Sequence, residues 1–141
     1  MVNETAGGAG FESAAEEFAN AYHYFVEALE VLEKDAATQC DLMGNFNVAW
    51  ELKDDVLRGE RLLTLPGGEL TEEQRDEIRK LLSSLREIPN SVLAATTSGT
   101  ENRRAMEDLS WGPVRKNASR LLDMLRSESR KTSAFFRRKR R

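Results

Sequence analysis

Residues 11–35 read FESAAEEFANAYHYFVEALEVLEKD, and the spacing of their apolar side chains decides the fold class. Phe11, Ala14, Ala15, Phe18, Tyr22, Phe25, Leu29 and Leu32 recur at intervals of three and four. That rhythm lines them along one stripe of an α-helix. Glu16, Asn20, His23, Glu27 and Glu30 fall together on another face. The spacing predicts a first helix over 11–35.

The same period recurs downstream. Residues 40–65, CDLMGNFNVAWELKDDVLRGERLLTL, read as a second helix. Its main stripe is Leu42, Phe46, Ala49, Leu52, Val56, Gly59 and Leu63, with Met43, Trp50 and Leu57 beside it. So broad an apolar arc predicts a central helix with Trp50 in the core. Gly59 lies on the stripe, where a missing side chain lets a neighbouring helix come close. LPGGEL, residues 65–70, is a loop. TEEQ, residues 71–74, is a capping box: the Thr71 hydroxyl accepts from the Gln74 N–H while the Gln74 side chain reaches back. A third helix follows to about Glu87, with Ile78, Leu81, Leu82, Leu85 and Ile88 inward, and Pro89 ends it.

After Pro89, NSVLAA holds two helical turns, TTSGT breaks the chain, and ENRRAMEDL is a further short helix. SWGPVRKN opens the last main helix, with Ser110 or Gly112 as cap and Pro113 in the first turn. Val114, Ala118, Leu121, Leu122 and Leu125 form its stripe. No alternating strand pattern of useful length occurs. The expected fold is all-α, a compact bundle of four main helices with one or two short ones. Residues 1–10 read as a flexible N-terminal segment, 11–126 as the helical domain, and 127–141 as a basic flexible tail.

Composition agrees with one globular domain. The chain has 141 residues, 40% of them apolar and 32% charged, which excludes disorder throughout. Cys40 is the only cysteine, so no intramolecular disulfide can form. Together with an N-terminus that lacks the basic and apolar regions of a signal peptide, this predicts a cytoplasmic protein. No stretch reaches the roughly 18–20 apolar residues that span a bilayer.

The net charge of −3 conceals a gradient. Residues 1–57 carry twelve acids against Lys34 and Lys53, whereas residues 115–141 carry eleven bases against Asp123 and Glu128. The front is therefore −10 and the rear +9. Such asymmetry points to a charged partner or to attraction between the two ends.

Little else in the chain points to chemistry. His23 is the sole histidine, and the Glu-x-x-His pairs of di-metal bundles are missing, since Asn20 stands three residues before it. His23 reads as an exposed, ion-paired side chain. Cys40, with Asp41 beside it, reads as an incidental thiol rather than a nucleophile. Asp54–Asp55 and Glu72–Glu73 are helical neighbours that do not share a face. The glycines of LPGGEL lack the Lys-Ser/Thr of a phosphate loop. Catalysis is not expected, and neither is a cofactor or metal. An enzyme with unrecognised carboxylate chemistry is the remote third reading; it would need two facing carboxyls in a buried cleft.

Residues 50–125 carry ELKDDV, the TEEQ start, IPNSVLAA, the N-x-x-A-M run at 102–106 and the W-x-P-V-R run at 111–115. This block resembles small all-helical bacterial proteins of unassigned function, and it covers about half the chain. Compact acidic helical proteins of this general kind include immunity proteins that neutralise bacterial toxins, a likeness of size, class and charge. Within the block, Asn90, Asn102 and Trp111 stand off the periodic pattern and mark a specific surface or a packing job. Trp111, beside Gly112 and Pro113, reads first as an anchor for the turn.

Two functional expectations result. The first is a protein-interaction module of inhibitor or immunity type, binding a basic protein through Glu27, Glu30, Glu33, Glu51, Asp54 and Asp55. The second places association in the tail. Phe135 and Phe136 are followed by Arg137, Arg138, Lys139, Arg140 and Arg141, which could hold an anionic membrane or a nucleic acid.

Overall fold

A computed structural model describes residues 13–44, 47–94 and 98–139. Phe11, Phe46, the segment 1–10, the Lys139 side chain, Arg140 and Arg141 lie outside the described residues. Among those described, eight α-helices and one 3-10 turn occur, and no strand. They are α1 (Ala14–Leu32), α2 (Ala36–Met43), α3 (Val48–Leu57), the 3-10 turn (Arg58–Leu63), α4 (Glu72–Arg86), α5 (Asn90–Leu93), α6 (Gly99–Met106), α7 (Trp111–Met124) and α8 (Arg126–Lys139). The all-α expectation holds.

α1 starts at a capping box that Ser13 and Glu16 build. The Ser13 hydroxyl accepts from the Glu16 N–H at 3.1 Å, and the Glu16 carboxylate accepts from the Ser13 N–H at 3.4 Å. Its stripe is buried as the spacing requires: Phe18, Tyr22, Phe25, Leu29 and Leu32 are all inside. Each fully buried Leu or Phe contributes about 1.5–3 kcal/mol by leaving water. Leu29→Ala would remove that and leave a cavity, at about 2–5 kcal/mol.

α1 and α4 both pack on α7, and α3 closes the group against α1 and α4. α2 packs on α6 at one end, and α8 lies along α1. The α4 capping box forms as expected, with the Thr71 hydroxyl accepting from the Gln74 N–H at 3.1 Å and the Gln74 side chain accepting from the Thr71 N–H at 2.8 Å. The same Gln74 amide donates to the Met124 carbonyl at 2.9 Å, joining the start of α4 to the end of α7. Trp111 is completely buried as the first residue of α7. Ser110 occupies the cap position without capping, because its hydroxyl donates to the Asp108 carboxylate instead.

Three expectations need correction. The second helix is not continuous. Gly44, at φ +83°, closes α2, and the Asn47 side chain caps α3 by accepting from the Trp50 N–H. The last part of that stretch tightens into the 3-10 turn. The rotation so introduced turns Leu42 and Trp50 outward, 59% and 54% exposed, against the expectation that both sit inside.

The third correction concerns the rear segment. The expected basic flexible tail, 127–141, is a helix from Arg126 to Lys139. Its inward face is Glu128, Ser129 and Thr132, followed by the half-buried Phe135 and Phe136. No apolar stripe advertises such a face, because polar bonds make the contact. The Tyr22 hydroxyl donates to the Leu125 carbonyl at 2.9 Å and pairs with the Ser129 hydroxyl at 2.8 Å. Lys131 adds an ion pair to Glu69 at 2.8 Å.

A second set of buried polar contacts holds the ends of α2, α3, α6 and α7 together. Arg115 donates to the Gln39 side-chain oxygen at 2.7 Å and to the Met106 carbonyl. Gln39, itself fully buried, donates to the Val31 and Leu32 carbonyls. Asn102 accepts the Val48 N–H at 3.0 Å, satisfying one of the open donors at the start of α3. Asn102 and Trp111 thus do packing jobs.

Candidate partner-binding groove

The C-terminal half of α1 runs beside α3 and the 3-10 turn, and a groove of about 360 Å³ opens between them. Its floor is apolar: Phe25, Ala28 and Leu52 are buried, with Val31 and Met43 half-buried beside them. Gly59 makes this approach possible. A β-carbon there would sit 2.1 Å from the Phe25 ring, so only glycine fits without displacement. Tyr24, 68% exposed, stands at the edge. A second depression shares Glu27 and Val31 with the groove and extends it past Glu30 and Glu33 to the exposed Leu42.

The rim carries carboxylates. Of the six acids singled out in the sequence, Glu27 and Asp55 line the groove from α1 and α3, and Glu27, Glu30 and Glu33 line the adjoining depression. Asp54 turns away and pairs with Arg58 at 2.9 Å, and Glu51 does not line the groove. Burial pushes the Asp55 carboxyl above its ordinary range, with neighbouring Asp54 adding to the rise and Arg58 opposing it.

The basic side chains at the groove are engaged by carboxylates, Arg58 with Asp54, and the His23 ring also lies beside one. Arg61 reaches Glu17 at 3.3 Å, Lys34 lies 3.6 Å from Glu33, and His23 lies 3.3 Å from Glu27. Glu30 has no hydrogen bond or ion pair among the described residues. Moreover, Glu27, Glu30 and Glu33 occupy the C-terminal end of α1, where the last turn holds no base. The helix dipole is negative at that end, so Glu30 and Glu33 work against it by about 0.3–1 kcal/mol each at exposed positions, while Glu27 stands nearly a turn further in. Spacing them at i and i+3 adds like-charge repulsion.

Sequence reasoning missed Tyr24, Leu42 and Met43 as groove residues. Tyr24 does carry a signal: it is an aromatic residue lying off the stripe that Tyr22 and Phe25 belong to. Leu42 was hidden by the assumption of an unbroken second helix.

The tail residues sit elsewhere. Phe135 lines a trough with Ala15, Phe18, Ala19 and Gly67, and Phe136 meets the His23 ring edge-on at 5.9 Å. Both rings are therefore directed at the protein's own body. Arg137 and Arg138 are exposed. The Cys40 thiol is pushed up by burial, which disfavours the thiolate at neutral pH. No cluster of three metal-ligating side chains occurs among the described residues, and none of their helices is long and apolar enough to cross a membrane.

Fold and groove together define a compact all-α protein with an apolar-floored groove of mixed charge that continues into a row of three glutamates. No protein-family model, curated protein or solved structure matches the chain.

Proposed function

We propose that the protein is a non-catalytic interaction module, of inhibitor or immunity type, whose groove between α1 and α3 receives a basic partner. The observation that carries this reading is the placement of Glu27, Glu30 and Glu33 at the negative end of α1, over an apolar floor. Stability does not explain acids at that end, and a cationic ligand would relieve both the dipole conflict and the mutual repulsion. The floor supports the same reading. Tyr24 and Leu42 supply exposed apolar surface among the carboxylates, so a partner helix with a basic rim and an apolar ridge matches the site.

Charge steers such a partner in, and association should slow as salt rises. The test is titration of a synthetic lysine- and arginine-rich amphipathic helix into the protein and into the Glu27→Lys/Glu30→Lys/Asp55→Lys variant. Saturable binding that weakens with salt and disappears in the folded variant supports the proposal. Binding indifferent to salt or to the three reversals overturns it.

A further inference from the structure

The groove reading leads to a partner that the molecule itself supplies. α8 covers one flank of α1, touching the side of Ala15, Ala19, Tyr22 and His23. The groove occupies the other flank, at Ala21, Tyr24, Ala28 and Val31. With each residue advancing about 100° around a helix of 3.6 residues per turn, these two sets lie on opposite sides of the Phe18–Phe25–Leu29 stripe. α8 cannot cover both at once.

The outward face of α8 is cationic. Glu128 and Thr132 point inward, and the helical period then places Arg126, Arg130 and Arg137 together on the opposite side. Arg126 is paired with Asp123, but Arg130 and Arg137 are exposed and have no hydrogen bond or ion pair among the described residues. They stand two turns apart, about 10 Å along the axis. Glu27 to Glu33 extends over a similar length of α1, about 9 Å.

We infer that the groove of one copy receives the outward face of α8 from a second copy, giving head-to-tail self-association that salt weakens. This rests on the groove being the docking site. Charge complementarity argues for this occupant: the row of Glu27, Glu30 and Glu33 beside the groove matches in length the row that Arg130 and Arg137 set on α8. A contact of this kind uses two different surfaces, so a bound pair still offers one free groove on one copy and one free α8 on the other.

The experiment is sedimentation of the full chain over a range of concentrations, at about 20 mM and about 500 mM NaCl, the latter shortening electrostatic reach to a few Å. At low salt the weight-average mass should climb with concentration and fall back at high salt. Arg130→Glu/Arg137→Glu keeps a groove but loses the basic face. Glu27→Lys/Glu30→Lys/Asp55→Lys keeps the basic face but loses the groove. Each alone should stay monomeric, and their mixture should associate again, provided circular dichroism shows both folded.

A wild-type chain that stays monomeric at low salt overturns the inference, as does association that either variant retains. The two failures are separable. If the monomeric Arg130→Glu/Arg137→Glu variant still binds the basic helical peptide through its groove, self-association fails while the docking site stands.

Discussion

On one flank of α1, Ala15, Phe18, Ala19 and Tyr22 lie beneath or beside α8; on the other, Ala21, Tyr24, Ala28 and Val31 border an open groove. Both flanks offer apolar surface, and both depend on a close-approaching glycine. They differ in what joins them to the rest of the chain. The covered flank has Tyr22, whose hydroxyl reaches Leu125 and Ser129, and Glu69, which holds Lys131. The open flank has carboxylates and an exposed ion pair, Glu17 to Arg61 at 3.3 Å, but no buried hydroxyl joint like that of Tyr22. Apolar content alone therefore does not decide which side of a helix is covered; directional polar contacts do.

The comparison can be broken most severely at the glycines. Gly67 on the covered flank has φ +96°, and a β-carbon there would lie 2.5 Å from the Ala14 carbonyl oxygen. Both the backbone conformation and the neighbour are unyielding, so Gly67→Ala should cost about 2–5 kcal/mol in urea unfolding. Gly59→Ala on the open flank meets only a side chain, though the buried Phe25 ring has little room to move. About 1–3 kcal/mol is expected. A larger effect at Gly59 than at Gly67 would contradict the ranking.

Tyr22→Phe keeps the ring and deletes the joint. The expected loss is about 1–2 kcal/mol, with hydrogen exchange accelerated first in α8. Uniform acceleration across the helices would show that α8 is not held independently.

Glu128 sharpens the comparison through pH. Burial raises its carboxyl pKa; Lys131 opposes the shift and Glu69 reinforces it. The folded state then holds this proton more tightly than the unfolded state, whose value is about 4.3. Its contribution to stability is greatest below that value and is lost as pH rises through the folded pKa. Glu128→Gln should therefore melt higher than wild type at neutral pH, and the difference should vanish below about pH 4. A difference independent of pH would exclude ionisation as the cause.

The smallest effect belongs to the groove rim. Glu30→Lys places a cation at the negative end of α1 and should raise stability by about 0.3–1 kcal/mol in thermal melts. It should also weaken binding of the basic helical peptide. A variant that is less stable than wild type would mean that Glu30 serves the fold.

Much of this architecture was legible from residue spacing. The α1 stripe, the TEEQ start of α4, the close approach at Gly59 and the all-α class follow from helical period and capping chemistry. The break at Gly44 carried a signal, a glycine followed three residues later by the potential cap Asn47, but the surrounding apolar residues concealed it. α8 escaped because its buried face is Glu, Ser and Thr, which hydrophobic periodicity does not register. For the groove, charge content marked Glu27, Glu30, Glu33 and Asp55. The meeting of Glu27 with Asp55 depends on how α3 sits against α1, and the break between α2 and α3 hid that from the sequence.

The two tryptophans have separate optical consequences. Trp111 is wholly enclosed and its indole N–H has no hydrogen-bond partner among the described residues, whereas Trp50 stands largely in solvent on α3. Their fluorescence should accordingly resolve into a short-wavelength component shielded from aqueous iodide and a long-wavelength component quenched by it. One reports the integrity of the interior, and the other reports events on the helix that walls the groove. A single wild-type sample thus carries an internal control that distinguishes occupation of its surface from unfolding.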